Sequence, residues 1–272
     1  MARLLVLVLV ALLVPAGTAI AALHPRAPGG TAPGSGVASP ANPCTGPSAA
    51  TLLCPNLKMG TPVDLYAQIG KARTLLRATN RIQNWGAGPM ELRGKRRRPL
   101  RAFRMTVTQG IKKRGGGRLL RKTGGELFFK PIPGQYRYWK FVDAASLEIW
   151  SLDAAGAPLK RIRRSPKQVY CLRDLLPLEQ RLPSAPRKMV YPACNQNPDK
   201  RRVTLGTSVG WVDRYPASYY QQYVDVTGLE GRFAYVMTAD PKNHLAESDE
   251  SDNSSYTSVD LPVKRQGYLP GY

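Results

Sequence analysis

A period of two in the alternation of apolar and polar residues recurs along this chain, and that period belongs to strands whose two faces see different surroundings. Residues 103–110 (FRMTVTQG), 136–143 (YRYWKFVD) and 146–153 (SLEIWSLD) carry it. Two longer stretches, 75–93 (LLRATNRIQNWGAGPMELR) and 223–241 (YVDVTGLEGRFAYVMTADP), each read as strand, bend and strand. Gly86-Ala87-Gly88-Pro89 marks the first bend, Gly228 and Gly231 the second. No long run at helical spacing with caps interrupts these segments. Short strands joined by Gly/Pro turns predict an all-β fold, an antiparallel β-sandwich with long loops. No boundary splits residues 44–263, so they form one predicted domain with enough apolar residues, 43% of the chain, for a real core.

The ends read differently. Residues 1–21 contain Arg3, an apolar run from Leu4 to Val14, the breaker Pro15 and the small-x-small triplet Ala19-Ile20-Ala21, the pattern of a cleavable secretory signal. The apolar run is too short to span a bilayer comfortably, so the mature chain is expected to be soluble and secreted, extracellular or associated with the cell wall. Residues 22–43, rich in Pro, Gly and Ala, cannot bury a core and are expected to be a linker. Residues 264–272 are read as a tail.

Four cysteines suit an oxidising compartment. Three connectivities are open to four cysteines. Proximity in the chain favours Cys44–Cys54 and Cys171–Cys194. A zinc site of four thiolates is the competing reading, but the spacings lack C-x-x-C knuckles.

Charge is the loudest feature of the composition: Lys and Arg number 40 against 18 Asp and Glu, a net charge of +22. Residues 93–122 hold thirteen basic residues and no acidic one, which predicts a polyanionic partner bound through Arg96, Arg97, Arg98, Lys112, Lys113 and Arg114. Nucleic acid is not expected behind a signal peptide. Wall polymers, acidic polysaccharides and anionic lipid headgroups are the polyanions outside a cell. Compositional bias toward Arg, Ala, Gly and Pro is the bland alternative.

Other chemistry is poorly supplied. Asp240, Glu247, Asp249, Glu250 and Asp252 crowd one span, but their spacing does not fit a calcium loop. The expected reading is a solvated acidic hairpin paired with the basic surface. His24 lies in the linker, which leaves His244 as the one imidazole of the folded part. A nucleophilic hydrolase would have to be built around it without a G-x-S-x-G elbow.

A series of motifs then points to a family. SPKQVYCLRD (165–174), YPAC (191–194), SVGWVDRY (208–215), QYVDVTGLEGRFAYVMTADP (222–241) and ESDESDN (247–253) resemble, in order and spacing, the lysyl oxidase family, in particular its secreted bacterial branch. The resemblance covers roughly residues 57–260, most closely after Lys167, and residues 75–93 look like the family's opening hairpin. It implies copper-dependent oxidation of primary amines, lysine side chains above all, with a lysine tyrosylquinone cofactor. The positions matching the quinone pair are Lys167, four residues before Cys171, and Tyr215, which closes GWVDRY. Asp213 is the nearest carboxylate for a base that removes the substrate's α-proton.

The same resemblance exposes a departure. The family's copper ligands come from H-x-H-x-H, commonly with Trp before the last His and Phe after it. Setting Trp139 and Phe141 on that pair puts Tyr136, Tyr138 and Lys140 at the histidine positions. Imidazoles hold copper(II) in a tetragonal site, and a phenol or protonated lysine does not replace three of them. Neither copper nor the quinone is therefore expected here. The leading expectation is a lysyl-oxidase-like protein without amine oxidation, acting as a basic binding or structural module. An active copper amine oxidase using Tyr138 and His244 with carboxylates is the alternative. A carbohydrate-binding adhesion sandwich, suggested by the closing hairpin, is a third reading.

Overall fold

The computed structural model describes residues 41–98, 103–132, 135–166 and 168–263. The predicted signal, all but the end of the linker, and the tail from residue 264 lie outside them, as does Lys167. Nothing is described of the side chains of Ile132, Gln135 and Tyr136.

One short 3₁₀ turn, Ala49–Thr51, precedes seventeen strands, and no α-helix occurs among the described residues. The first five are β1 (Leu52–Leu53), β2 (Leu57–Met59), β3 (Val63–Ile69), β4 (Thr74–Asn84) and β5 (Met90–Lys95). Next come β6 (Arg104–Lys113), β7 (Arg118–Ile132), β8 (Gln135–Val142), β9 (Ala145–Leu152) and β10 (Pro158–Arg164). The rest are β11 (Val169–Tyr170), β12 (Leu176–Pro177), β13 (Arg202–Thr207), β14 (Trp211–Tyr215), β15 (Tyr223–Asp225), β16 (Gly231–Ala239) and β17 (Ser254–Leu261).

The strands build three sheets in which every pairing is antiparallel. The largest runs β11-β8-β7-β6-β5-β13, with β1 on β6. A second runs β10-β9-β16-β17, and a third gathers β2, β3, β12, β14 and β15 around β4. One apolar cluster, from Leu57 to Leu261, lies between them, the sandwich-like all-β arrangement expected of the alternation. A small second cluster surrounds the Cys44–Cys54 disulfide. Cys171–Cys194 is the other disulfide, so both proximity pairings form and no cysteine is left for zinc.

Both bends are present where expected, and the hairpin that the resemblance implies for residues 75–93 is not formed. Gly86 to Pro89 does not close a hairpin, because β4 and β5 lie in different sheets; the turn carries the chain across the sandwich. A Cβ at Gly88 would sit 2.0 Å from the Leu53 carbonyl oxygen, so only glycine permits this corner. The bend between β15 and β16 is likewise a change of sheet. Locally a hairpin and a corner share the same strand-turn-strand pattern, and packing decides between them. The last two strands, β16 and β17, do pair with each other.

In the largest sheet the core-facing and outward positions alternate along β5, β6 and β7. Leu92, Met105, Val107, Leu127, Phe129, Trp139 and Phe141 enter the core. Arg93, Lys95, Arg104, Thr106, Lys122 and their neighbours in register take the outer face.

Candidate functional site

On β8 the alternation sets Tyr138 and Lys140 on one face and Trp139 and Phe141 on the core face. Register places Lys140 opposite Phe128 and Tyr138 opposite Lys130. Phe128 is half-buried, whereas Lys140 is only 2% exposed. The Lys140 Nζ lies 3.4 Å from the Tyr219 hydroxyl and 5.2 Å from the centre of the Tyr138 ring. Burial first, and then the like charge of Lys130, push the amine's pKa down to about 7. Much of Lys140 is therefore the neutral amine near physiological pH.

Tyr219 is held in place by the central strand of the third sheet. The buried Arg77 of β4 donates from Nη1 to the carbonyls of Tyr219, at 2.9 Å, and Ala217, at 3.3 Å. Thr79 Oγ1 accepts the Ala217 N–H at 3.0 Å. Beneath Tyr219, Tyr215 of β14 stacks on Tyr170 with ring centres 3.6 Å apart and planes 12° from parallel. The Tyr219 ring meets Tyr215 edge-on at 5.1 Å. Tyr170 donates to Gln222 at 2.7 Å and accepts from Asn80 at 2.9 Å. Burial raises the phenol pKa of Tyr170, Tyr215 and Tyr219, so the cluster is neutral.

Asp213, two residues before Tyr215, is fully buried. Neither of its oxygens finds a donor in strict hydrogen-bond geometry among the described residues. Its electrostatic neighbours include the Arg173 guanidinium and the Tyr215 hydroxyl, and that hydroxyl lies 3.3 Å from the Cys171 carbonyl oxygen. Burial outweighs Arg173 and raises the carboxyl's pKa well above its usual range.

The sequence-predicted positions are thus only partly united. Tyr215, Asp213 and Lys140 share one buried neighbourhood. Lys167 lies outside the described residues, and Tyr136 enters only through the backbone of β8. The implied copper position does not fit a copper ion: its described donors are a phenol and a buried amine. No three His, Cys, Asp or Glu side chains gather as a metal-holding group among the described residues. The alternative ligand set is not assembled either. His244 packs edge-on to Phe141 and against Gly125, on the core face of β8, with Tyr138 on the other.

The acidic span corrects its expectation only in part: Asp249 is exposed and Asp252 pairs with Lys58 at 3.4 Å, whereas Asp240 and Glu247 are buried, Glu247 at 0% exposure. The segment folds back over the first disulfide: the Ser248 N–H bonds the Pro55 carbonyl, and Ala246 packs with Cys44 and Cys54. Glu247 accepts the Leu57 N–H. Asn42 and Asn253 donate to Glu250 at 3.0 and 3.1 Å. Burial raises the pKa of the Asp240, Glu247 and Glu250 carboxyls, to about 7 for Asp240 and Glu250.

The basic run folds as a meander, which redistributes the predicted polyanion residues. Arg96 turns inward over the Trp139 ring, 4.8 Å from its centre, and donates from Nε to the Lys200 carbonyl at 2.9 Å. Arg114 donates to the Ala50 carbonyl at 3.0 Å. Arg97 and Arg98 are exposed after β5, while Lys112 and Lys113 are exposed at the far end of β6. The length of β6, about 30 Å at strand rise, separates the two groups.

What the fold unites is a different set. Across the outer face Arg202 of β13 lies opposite Lys95, Arg93 lies opposite Thr108, Thr108 opposite Lys122, and Lys112 opposite Arg118. Glu91 sits among them, taking Arg93 Nε at 2.7 Å, Arg118 Nε at 3.0 Å and the Tyr191 hydroxyl at 2.9 Å. Burial would raise its pKa, but hydrogen bonds from Arg93 and Tyr191 and the two guanidinium charges outweigh it and lower it. Lys95, Lys112, Lys122 and Arg202 remain exposed. Sequence reasoning missed Lys95, Lys122 and Arg202 as a set. The signal was available only for the first two, as period-two positions within the basic run.

Comparison with protein-family models and with curated proteins finds no match.

Proposed function

We propose that the protein is a secreted basic module that binds polyanionic extracellular surfaces through the outer face of β13, β5, β6 and β7. The observation that carries this reading is the register of Arg202, Lys95, Lys112 and Lys122 on one solvent-facing side, with Glu91 already engaged by Arg93 and Arg118. A net charge of +22 supplies the long-range attraction. In this reading the chain keeps a lysyl-oxidase-like frame without copper-dependent amine oxidation. The buried Lys140 amine, bonded to Tyr219 where the resemblance implies an imidazole ligand, supports that part.

Retention on a sulfated polysaccharide column tests the face. The wild-type chain should elute at a salt concentration well above that of Lys95→Glu/Lys122→Glu/Arg202→Glu, and its affinity should fall steeply between low and moderate salt. Salt-independent retention would instead favour sugar recognition. Retention equal in the two proteins would remove the face from the mechanism.

A further inference from the structure

The loop closed by Cys171–Cys194 displays two adjacent apolar residues where none is needed for packing. Met189 is 49% exposed and Val190 57%. Single exposed apolar residues are ordinary on protein surfaces, so the informative point is how this pair is held. Asp174, fully buried, accepts the N–H of Val190 at 2.8 Å and of Tyr191 at 3.1 Å. It also accepts the N–H and hydroxyl of Ser208, at 2.7 and 2.8 Å, and its own N–H bonds the Tyr191 carbonyl at 2.9 Å.

The next residue continues the anchoring. The Tyr191 hydroxyl reaches Glu91, and its ring lies so close over β13 that a Cβ at Gly206 would come within 2.9 Å of it. Met189 and Val190 are therefore fixed outward at the rim of the basic face and cannot retreat without breaking a buried network. Arg187 and Lys188, both exposed, immediately precede them.

An apolar pair held out beside cations suits one kind of polyanion. A hydrated sugar polymer offers such side chains nothing, whereas a bilayer interface offers anionic headgroups to the cations and an acyl boundary to the apolar groups. We propose that the polyanion is an anionic lipid bilayer, docked by the outer face of the large sheet, with Met189 and Val190 inserted between headgroups. This rests on the polyanion reading and commits it to one partner.

The test uses the full secreted chain, with sedimentation on vesicles of phosphatidylcholine with or without phosphatidylglycerol at about 0.15 M salt. Retention on sulfated polysaccharide is measured in parallel. Wild type should bind only the anionic vesicles. Met189→Ser/Val190→Ser, which removes apolar surface without changing charge, should weaken vesicle binding by about ten-fold or more and leave polysaccharide retention unchanged, while Met189→Trp should strengthen vesicle binding. Both positions are exposed, so unchanged thermal unfolding of the variants serves as the folding control.

Several outcomes overturn the proposal. One is vesicle binding by the double serine variant equal to that of wild type. Another is retention on polysaccharide without any vesicle binding, which leaves a soluble polymer as partner. Dimerisation without lipid that the variant abolishes would assign the pair to a second copy of this chain. Loss of both vesicle and polysaccharide binding in the wild type would bring down the underlying polyanion reading instead.

Discussion

Lys140 carries a charge whose cost depends on pH. Its folded pKa is about 7 against an ordinary 10.5, so between those values the unfolded chain binds more protons than the folded one. Stability contributed at this site therefore rises with pH across that window, and the penalty is complete below about pH 7. Lys140→Met should abolish this dependence and stabilise the protein at neutral pH and below, by up to a few kcal/mol; denaturant melts of both proteins from pH 6 to pH 10 would read it. A wild-type slope matching that of the variant would place the amine in water. Asp174 makes the opposite kind of residue. Asp174→Ala leaves the amides of Val190 and Tyr191 and the Ser208 groups without their acceptor, at an expected cost of about 3 kcal/mol, with hydrogen exchange speeding first at residues 190 and 191. The facing of Tyr138, Lys140, Trp139 and Phe141 was legible in the period of two. The burial of Lys140 was not, because it depends on Tyr219, distant in sequence and placed by Arg77 of a third segment.

At the scale of elements, the disulfides do different work. Cys171–Cys194 spans 23 residues and brackets the loop with Met189 and Val190. Cys171→Ala/Cys194→Ala should cost about 3 kcal/mol by loop entropy, and it should raise protease cleavage within that loop before global unfolding. Equal cleavage rates would mean that Asp174 alone fixes the loop. Strand existence was readable from alternation throughout. Strand partnership was not: the segments at 75–93 and 223–241 read as strand, bend and strand, and both bends are changes of sheet, since a glycine bend has the same composition in a hairpin or a corner. The acidic span misled in part, for a related reason. Its carboxyls satisfy a neighbouring strand start and two asparagines, and nothing local in ESDESDN announces burial.

For the whole molecule, the charge makes folding and binding respond to salt with opposite signs. Screening relieves self-repulsion in a chain of net charge +22, so thermal stability should rise from low to moderate salt, while affinity for any polyanion falls over the same range. Melting temperatures and column retention measured in one salt series check both; a stability that falls with salt would mean that ion pairs such as Arg93–Glu91 outweigh the repulsion. The all-β class and both disulfides were legible in the sequence at this scale, whereas the outer face was legible only in part. Three of its strands are consecutive, but the fourth, β13, arrives more than a hundred residues after β5 begins. The register of Arg202 with Lys95 therefore makes the full cationic array a product of completed folding. A chain that ends before β13 lacks Arg202 and the strand that carries it, so the array is completed only once the last strand of this sheet has been made and paired.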